Sequence, residues 1–70
     1  MEVISYKGYT GSIEYFDMDK RYYGKVLYIS SLISYEGNNL VELKKDCYEA
    51  IDDYLQSCNE EGVLPETPKI

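Results

Sequence analysis

Residues 39–62 carry the pattern that most limits how this chain can fold. Leu40, Leu43, Cys47, Ala50, Ile51, Tyr54 and Cys58 recur at spacings of three and four. That period puts apolar side chains on one face of an α-helix. Asn39 stands at the N-cap position, with Glu42 three residues on as in a capping box. Gly62 suits the left-handed residue that ends a helix, and Pro65 follows where a helix cannot continue. The spacing predicts a helix of about twenty residues, or roughly 30 Å. In a chain of 70 residues this element leaves room for one sheet, because a domain so small buries only about 60% of its unfolded surface. One domain with one core layer is expected.

The residues before the helix read as strands. Tyr9 to Phe16 alternate, with Ile13 and Tyr15 set against Ser12 and Glu14. Tyr22 to Ile29 are rich in aromatic and β-branched types, which fit a pleated surface. The polar stretch Asp17-Met18-Asp19-Lys20-Arg21 joins them as a hairpin. Ile33-Ser34-Tyr35-Glu36 makes a third short strand, after the break at Ser30-Ser31. Gly8 and Gly11 frame the first strand. Gly24 interrupts the second, where a strand glycine marks a bulge or a close backbone approach. The bland account of Gly24 is a bend that lets the helix pack closely; the sharper one is a partner backbone lying on the sheet. The expected fold is α+β, a three-stranded antiparallel sheet in β-β-β-α order against one long helix. Residues 1–64 form the domain and residues 65–70, with two prolines and few packing groups, a tail or linker.

Tyrosines 9, 15, 22, 23, 28 and 35 fall on these strands. One helix covers one face, so some of them are expected on the open face, where tyrosine suits an interface. The outer side of the helix carries Glu42, Lys45, Asp46, Glu49, Asp53 and Gln56. Thirteen acids against seven bases give a net charge of −6. A phosphate backbone repels such a surface and a basic protein does not, so no direct nucleic-acid contact is expected.

The chemistry of sites is sparse. The chain has no histidine, the commonest base and metal ligand near neutral pH. Cys47 and Cys58 therefore lack an activating base. On one helix they stand roughly 16 Å apart, beyond the ~7 Å a disulfide spans, and both read as small apolar residues of an intracellular, cytoplasmic chain. Asp17, Asp19, Glu14, Asp52 and Asp53 are the carboxylates a magnesium nuclease would need to converge on one point. Acids in a turn are also what any solvated hairpin carries. Phosphate-loop, dinucleotide and zinc patterns are absent. No apolar run spans a membrane, and the start Met1-Glu2-Val3-Ile4 does not read as a signal peptide. No catalytic, cofactor or metal residue is assigned: the residues describe a binding module.

Several blocks, in order, resemble the HicB family of antitoxins. Tyr6-Lys7-Gly8-Tyr9-Thr10-Gly11-Ser12-Ile13-Glu14-Tyr15 is similar to that family's opening, and Tyr23-Gly24-Lys25-Val26-Leu27 to its second strand. Ser34-Tyr35-Glu36-Gly37-Asn38 resembles the third strand and its glycine turn. Glu42-Leu43-Lys44-Lys45 and Glu49-Ala50-Ile51-Asp52-Asp53-Tyr54-Leu55 resemble the helix. Cys58-Asn59-Glu60-Glu61-Gly62 and Pro65-Glu66-Thr67-Pro68 resemble its end and the segment beyond. The resemblance implies a partial ribonuclease-H-like fold without that enzyme's active site. It implies a non-enzymatic antitoxin that neutralises a small basic HicA-type toxin, a messenger ribonuclease, by direct contact; a homo-oligomer is expected beside this, as in comparable small modules, though no residue counts subunits. The chain departs from the pattern twice. No counterpart of the C-terminal DNA-binding domain follows Pro68, so promoter binding is not carried over. Lys20-Arg21 stand where the family often has a glycine in the hairpin turn.

On charge and position, the residues expected to meet the toxin are Glu14, Asp17, Asp19 and Tyr22 around the hairpin and Glu49, Asp52 and Asp53 on the helix. For any single acid, the plainer account is a solvated residue that keeps the domain soluble. Two alternatives stand beside the antitoxin: a stand-alone oligomeric HicB-like module, and a metal-dependent nuclease using Asp17 and Asp52.

Overall fold

The computed structural model describes residues 2–68. In chain order the elements are β1 (Val3–Tyr6), β2 (Tyr9–Ser12), β3 (Glu14–Phe16), β4 (Arg21–Lys25), β5 (Ser34–Gly37) and α1 (Leu40–Glu61). β1 and β2 form a two-stranded antiparallel sheet, and β3, β4 and β5 a three-stranded one in that order. Among the described residues a single isolated bridge, between Gly11 and Val26, joins the two. The α+β class, the three-stranded antiparallel sheet and the one long helix stand as expected from sequence.

The helix begins and ends where local chemistry says it should. Asn39 has extended backbone and its side chain accepts from the Glu42 amide at 2.9 Å. Gly62 closes the other end at φ 73°. Leu43, Cys47 and Ile51 of α1 are fully buried and meet Tyr35, Val26, Tyr9 and Ile4 from the strands. Cys58 is buried too, and both cysteines are free thiols. Burial pushes the Cys47 thiol up from its ordinary value.

The strands differ from the sequence reading in three places. β1 was not expected; it pairs with β2 through a tight turn in which Lys7 and Gly8 both take positive φ, 48° and 85°. Two consecutive residues of this kind make the hairpin turn whose twist suits antiparallel strands. The stretch 9–16, read as one strand, is two. Gly11 opposite Val26 and Glu14 opposite Tyr23 keep one register, but the ladder breaks between them. There the Tyr35 hydroxyl donates to Ser12 O at 2.7 Å, and Ser12 Oγ accepts from the Lys25 amide at 3.1 Å. The second strand, expected to run to Ile29, stops at Lys25, and Tyr28 turns to φ 65°.

Gly24 and Gly37 explain how closely the layers pack. A Cβ on Gly24 would lie 2.1 Å from Ser12 O and 2.5 Å from the Tyr35 ring. The close approach at Gly24 is thus made by this chain's own strand and tyrosine. The helix instead comes closest at Gly37, where a Cβ would lie 2.5 Å from the Leu43 amide nitrogen.

Lys20, at the end of the hairpin turn, has φ 53°. It occupies the left-handed conformation that a glycine adopts without a steric penalty. Lys20→Gly should therefore raise stability slightly, by about 0.5 kcal/mol, because relief of the left-handed backbone outweighs the greater freedom of glycine in the unfolded chain. A urea midpoint below that of the wild type would refute this.

Candidate functional site

Strand pairing decides which side chains share a face. Tyr35, Gly37, Gly24 and Tyr22 lie on the face that α1 covers. The other face carries the cross-strand row Glu14, Tyr23 and Glu36, with Phe16 and Arg21 beside it and Lys25 and Ser34 beyond. It is charged rather than tyrosine-rich. Of the strand tyrosines, Tyr23 alone lies on it among the described residues. Tyr15 and Tyr28 stay exposed, at 50% and 49%, while Tyr35, Tyr9 and Tyr6 turn inward, where the fold supplies partners for their hydroxyls. Tyr35 donates to Ser12 O, Tyr9 to Glu66 O, and Tyr6 to Asp52. Burial drives the Tyr35 hydroxyl well above the usual tyrosine value and raises that of Tyr9.

A groove of about 470 Å³ runs beside this row, with Glu14, Tyr23, Lys25, Glu36 and Asp46 among its walls. Asp46 comes from α1 and accepts from the Glu36 amide at 3.0 Å, so it caps the free edge of β5. From Asp46 the acids continue down the helix. Glu42, Asp46, Glu49, Asp53 and Glu60 are separated by four, three, four and seven residues, which places them on one side of α1. Glu42, Glu49, Asp53 and Glu60 are exposed. From Asp46 onward no lysine or arginine occurs until Lys69.

This stripe opposes helix stability. Like charges three or four residues apart repel, by roughly 0.2–0.5 kcal/mol a pair. Glu60 and Glu61 occupy the last turn, which holds no basic residue. There the helix dipole favours cations. Glu42 and Asp46 have a return inside the domain, at the N-cap Asn39 and at the Glu36 amide, whereas Glu60 merely accepts from Gln56 at 3.3 Å.

The structure gathers some of the expected site residues and scatters others. Glu14 joins Glu36 and Asp46, and Glu49 and Asp53 belong to the helix stripe. Asp19 accepts from the Tyr23 hydroxyl at 3.1 Å, at the margin of the same face. Asp17 is exposed at the hairpin tip. Tyr22 lies on the covered face, half-buried, its ring 4.9 Å from that of Tyr15. Asp52 is drawn into the fold: Lys7 Nζ lies 2.7 Å from it and the Tyr6 hydroxyl donates to it at 3.0 Å. The Lys7 contact first, then the tyrosine, hold its carboxyl below the ordinary value. Among the described residues no three histidine, cysteine, aspartate or glutamate side chains converge on one point, and no helix is long and apolar enough to cross a membrane.

Glu66 was missed altogether. The segment after the helix was expected to be loose with few packing groups, yet Glu66 reaches back to residues 30 and 31. Its carboxylate accepts from the Ser30 and Ser31 amides at 2.9 Å each and from Ser31 Oγ at 2.6 Å. These donors, the Ser31 hydroxyl first, pull its carboxyl from 4.5 down to about 2. Only the ionised form accepts all three bonds. The stabilisation is therefore full above pH 4.5 and is lost as pH falls from there through about 2. Glu66→Gln should be less stable than the wild type at neutral pH, and the gap should close across that acid window. A gap independent of pH in urea titrations would contradict it.

No family model, curated protein or solved structure matches the chain.

Proposed function

We propose that this chain is a binding module that takes a small basic protein on the acidic face formed by Glu14, Glu36 and the helix stripe Glu42–Glu60. The observation that carries the reading is the stripe itself. Its charges repel one another and Glu60, in the last turn, opposes the helix dipole, a cost that a basic partner would turn into attraction. Complementary charge speeds encounter and fixes orientation. With the sequence resemblance to HicB antitoxins, the partner class is a HicA-type toxin ribonuclease, and the finer fold description is the partial ribonuclease-H-like domain of that family. The expected action is non-enzymatic: the module occupies the toxin and blocks messenger cleavage. Mixing the chain with a folded HicA-type toxin should give a stable complex at micromolar concentration and stop RNA cleavage. Unchanged cleavage at equimolar protein would sink the proposal.

A second reading has its own support. β3 pairs with β4 on one side only, and all three of its residues are exposed, Tyr15 at 50% and Phe16 at 58%. Such an edge can add a strand from another copy, as a stand-alone oligomeric module would require. Sedimentation separates this from a monomer that associates only with the toxin.

A further inference from the structure

The chain surrounds one glutamate with a complete set of partners. Each carboxylate oxygen of Glu66 takes a backbone amide, from Ser30 and Ser31 in turn, and the Ser31 hydroxyl adds a third donor. The main chain of the same residue is matched as well. Its amide donates to Tyr54 Oη at 2.9 Å, and its carbonyl accepts from the Tyr9 hydroxyl. Residues 63–68 belong to no strand or helix, so Glu66 is held by tertiary contacts such as these. Successive backbone amides pointing the same way make a concave seat for an anion.

The receiving side is built for the task. Residues 27–33 cross between β4 and β5 without strand structure, with Tyr28 at φ 65°. Left-handed backbone is costly for a bulky residue and persists only where its surroundings impose it. The loop is tied at its base by Leu27 N to Thr10 O at 2.8 Å and Val26 N to Ile33 O at 2.9 Å. Its outer part is tied by Glu66. Pro65 precedes the glutamate and Pro68 follows it. Both restrict the segment before it docks, which lowers the entropy lost on docking.

We propose that Ser30 and Ser31, with Tyr9 and Tyr54, form a binding site for a carboxylate carried on an extended chain, which this structure fills with its own Glu66. The site reads a glutamyl unit by side chain and main chain together, as peptide-binding sites do. A segment supplied in cis holds it at high effective concentration. An acidic peptide from outside gains access only when residues 63–68 withdraw. Until such a carboxylate arrives, withdrawal of residues 63–68 leaves Ser30 and Ser31 of loop 27–33 without their present partner.

The test uses the full chain with Glu66→Ala, followed residue by residue through its amide NMR spectrum. Sodium acetate should shift the Ser30 and Ser31 amides saturably, with millimolar affinity, while sodium chloride at the same ionic strength does not. The wild type, with the seat filled, should show no such shift. Absence of a saturable shift in Glu66→Ala, or equal shifts with chloride or in the wild type, overturns the proposal. If Glu66→Ala does not fold, Ser31→Ala gives a second reading. The Glu66 carboxyl should then titrate above its value of about 2 in the intact chain, and an unmoved titration overturns the proposal equally.

Discussion

Gly24→Ala should cost about 2–6 kcal/mol of stability, whereas Gly8→Ala should cost no more than about 1 kcal/mol. The contrast rests on what a methyl group would meet. At Gly8 nothing lies within 4 Å, and the cost is that of a left-handed backbone at φ 85°. At Gly24 the methyl would come 2.1 Å from Ser12 O, a backbone atom, and 2.5 Å from the Tyr35 ring. Neither can move cheaply. Ser12 O is held by the Tyr35 hydroxyl, and Tyr35 is 4% exposed in the centre of the core. Separating them loses a buried hydrogen bond, at about 1–3 kcal/mol, in addition to overpacking of about 1–3 kcal/mol. A domain of this length is stable by roughly 3–10 kcal/mol, so the two losses together are a large share of it. Circular dichroism in a urea series measures both variants. Equal midpoints for them would show that the sheet around Gly24 gives way, and the account of Tyr35 as its fixed point would fail.

The same tyrosine shows what a sequence conceals. The helix was legible almost to the residue, because Asn39 and Gly62 act on backbone groups within one turn of themselves. The strands were legible where alternation is local, and misread where a distant group intervened. The break at Ser12 is caused by a hydroxyl 23 positions away, and the early end of β4 by a loop tied to Glu66. β1 escaped notice as four short residues at the start of the chain, and its loss had a consequence for the site. Lys7 and Tyr6, brought in by that hairpin, are what engage Asp52. Asp52 therefore looked like a free acid of the helix, while Glu49 and Asp53, whose surroundings are only the helix itself, were placed correctly on its outer side. Glu36 and Asp46 were visible as acids, but their junction at the edge of β5 depends on sheet register.

The triple variant Glu49→Lys, Asp53→Lys, Glu60→Lys should be at least as stable as the wild type and should bind a HicA-type toxin at least about 100-fold more weakly, since like charges set against each other across an interface cost several kcal/mol. The two effects have opposite signs because they arise from the same charges in different settings. Within the isolated helix, Glu49 and Asp53 repel each other at a spacing of four, and Glu60 opposes the dipole at the last turn. Lysine at position 60 would complement that dipole, worth about 0.3–1 kcal/mol. Lysines at 49 and 53 replace one repulsion by another, so the gain at the C-terminal end decides the balance. Against a basic partner, every one of the three reversals turns attraction into repulsion. Asp46 is left untouched because its bond to the Glu36 amide is structural. Asp17→Lys, at the hairpin tip, is the comparison. It alters charge on the same molecule away from the stripe and should weaken the complex only slightly. Thermal unfolding and titration calorimetry measure the two properties on the same preparations. If the triple variant binds as tightly as the wild type, the acidic stripe is a solubility feature. If Asp17→Lys matches the loss per charge, net charge rather than this face governs the encounter. Greater stability with lost binding is the pattern expected of a surface kept for a partner at the expense of its own fold.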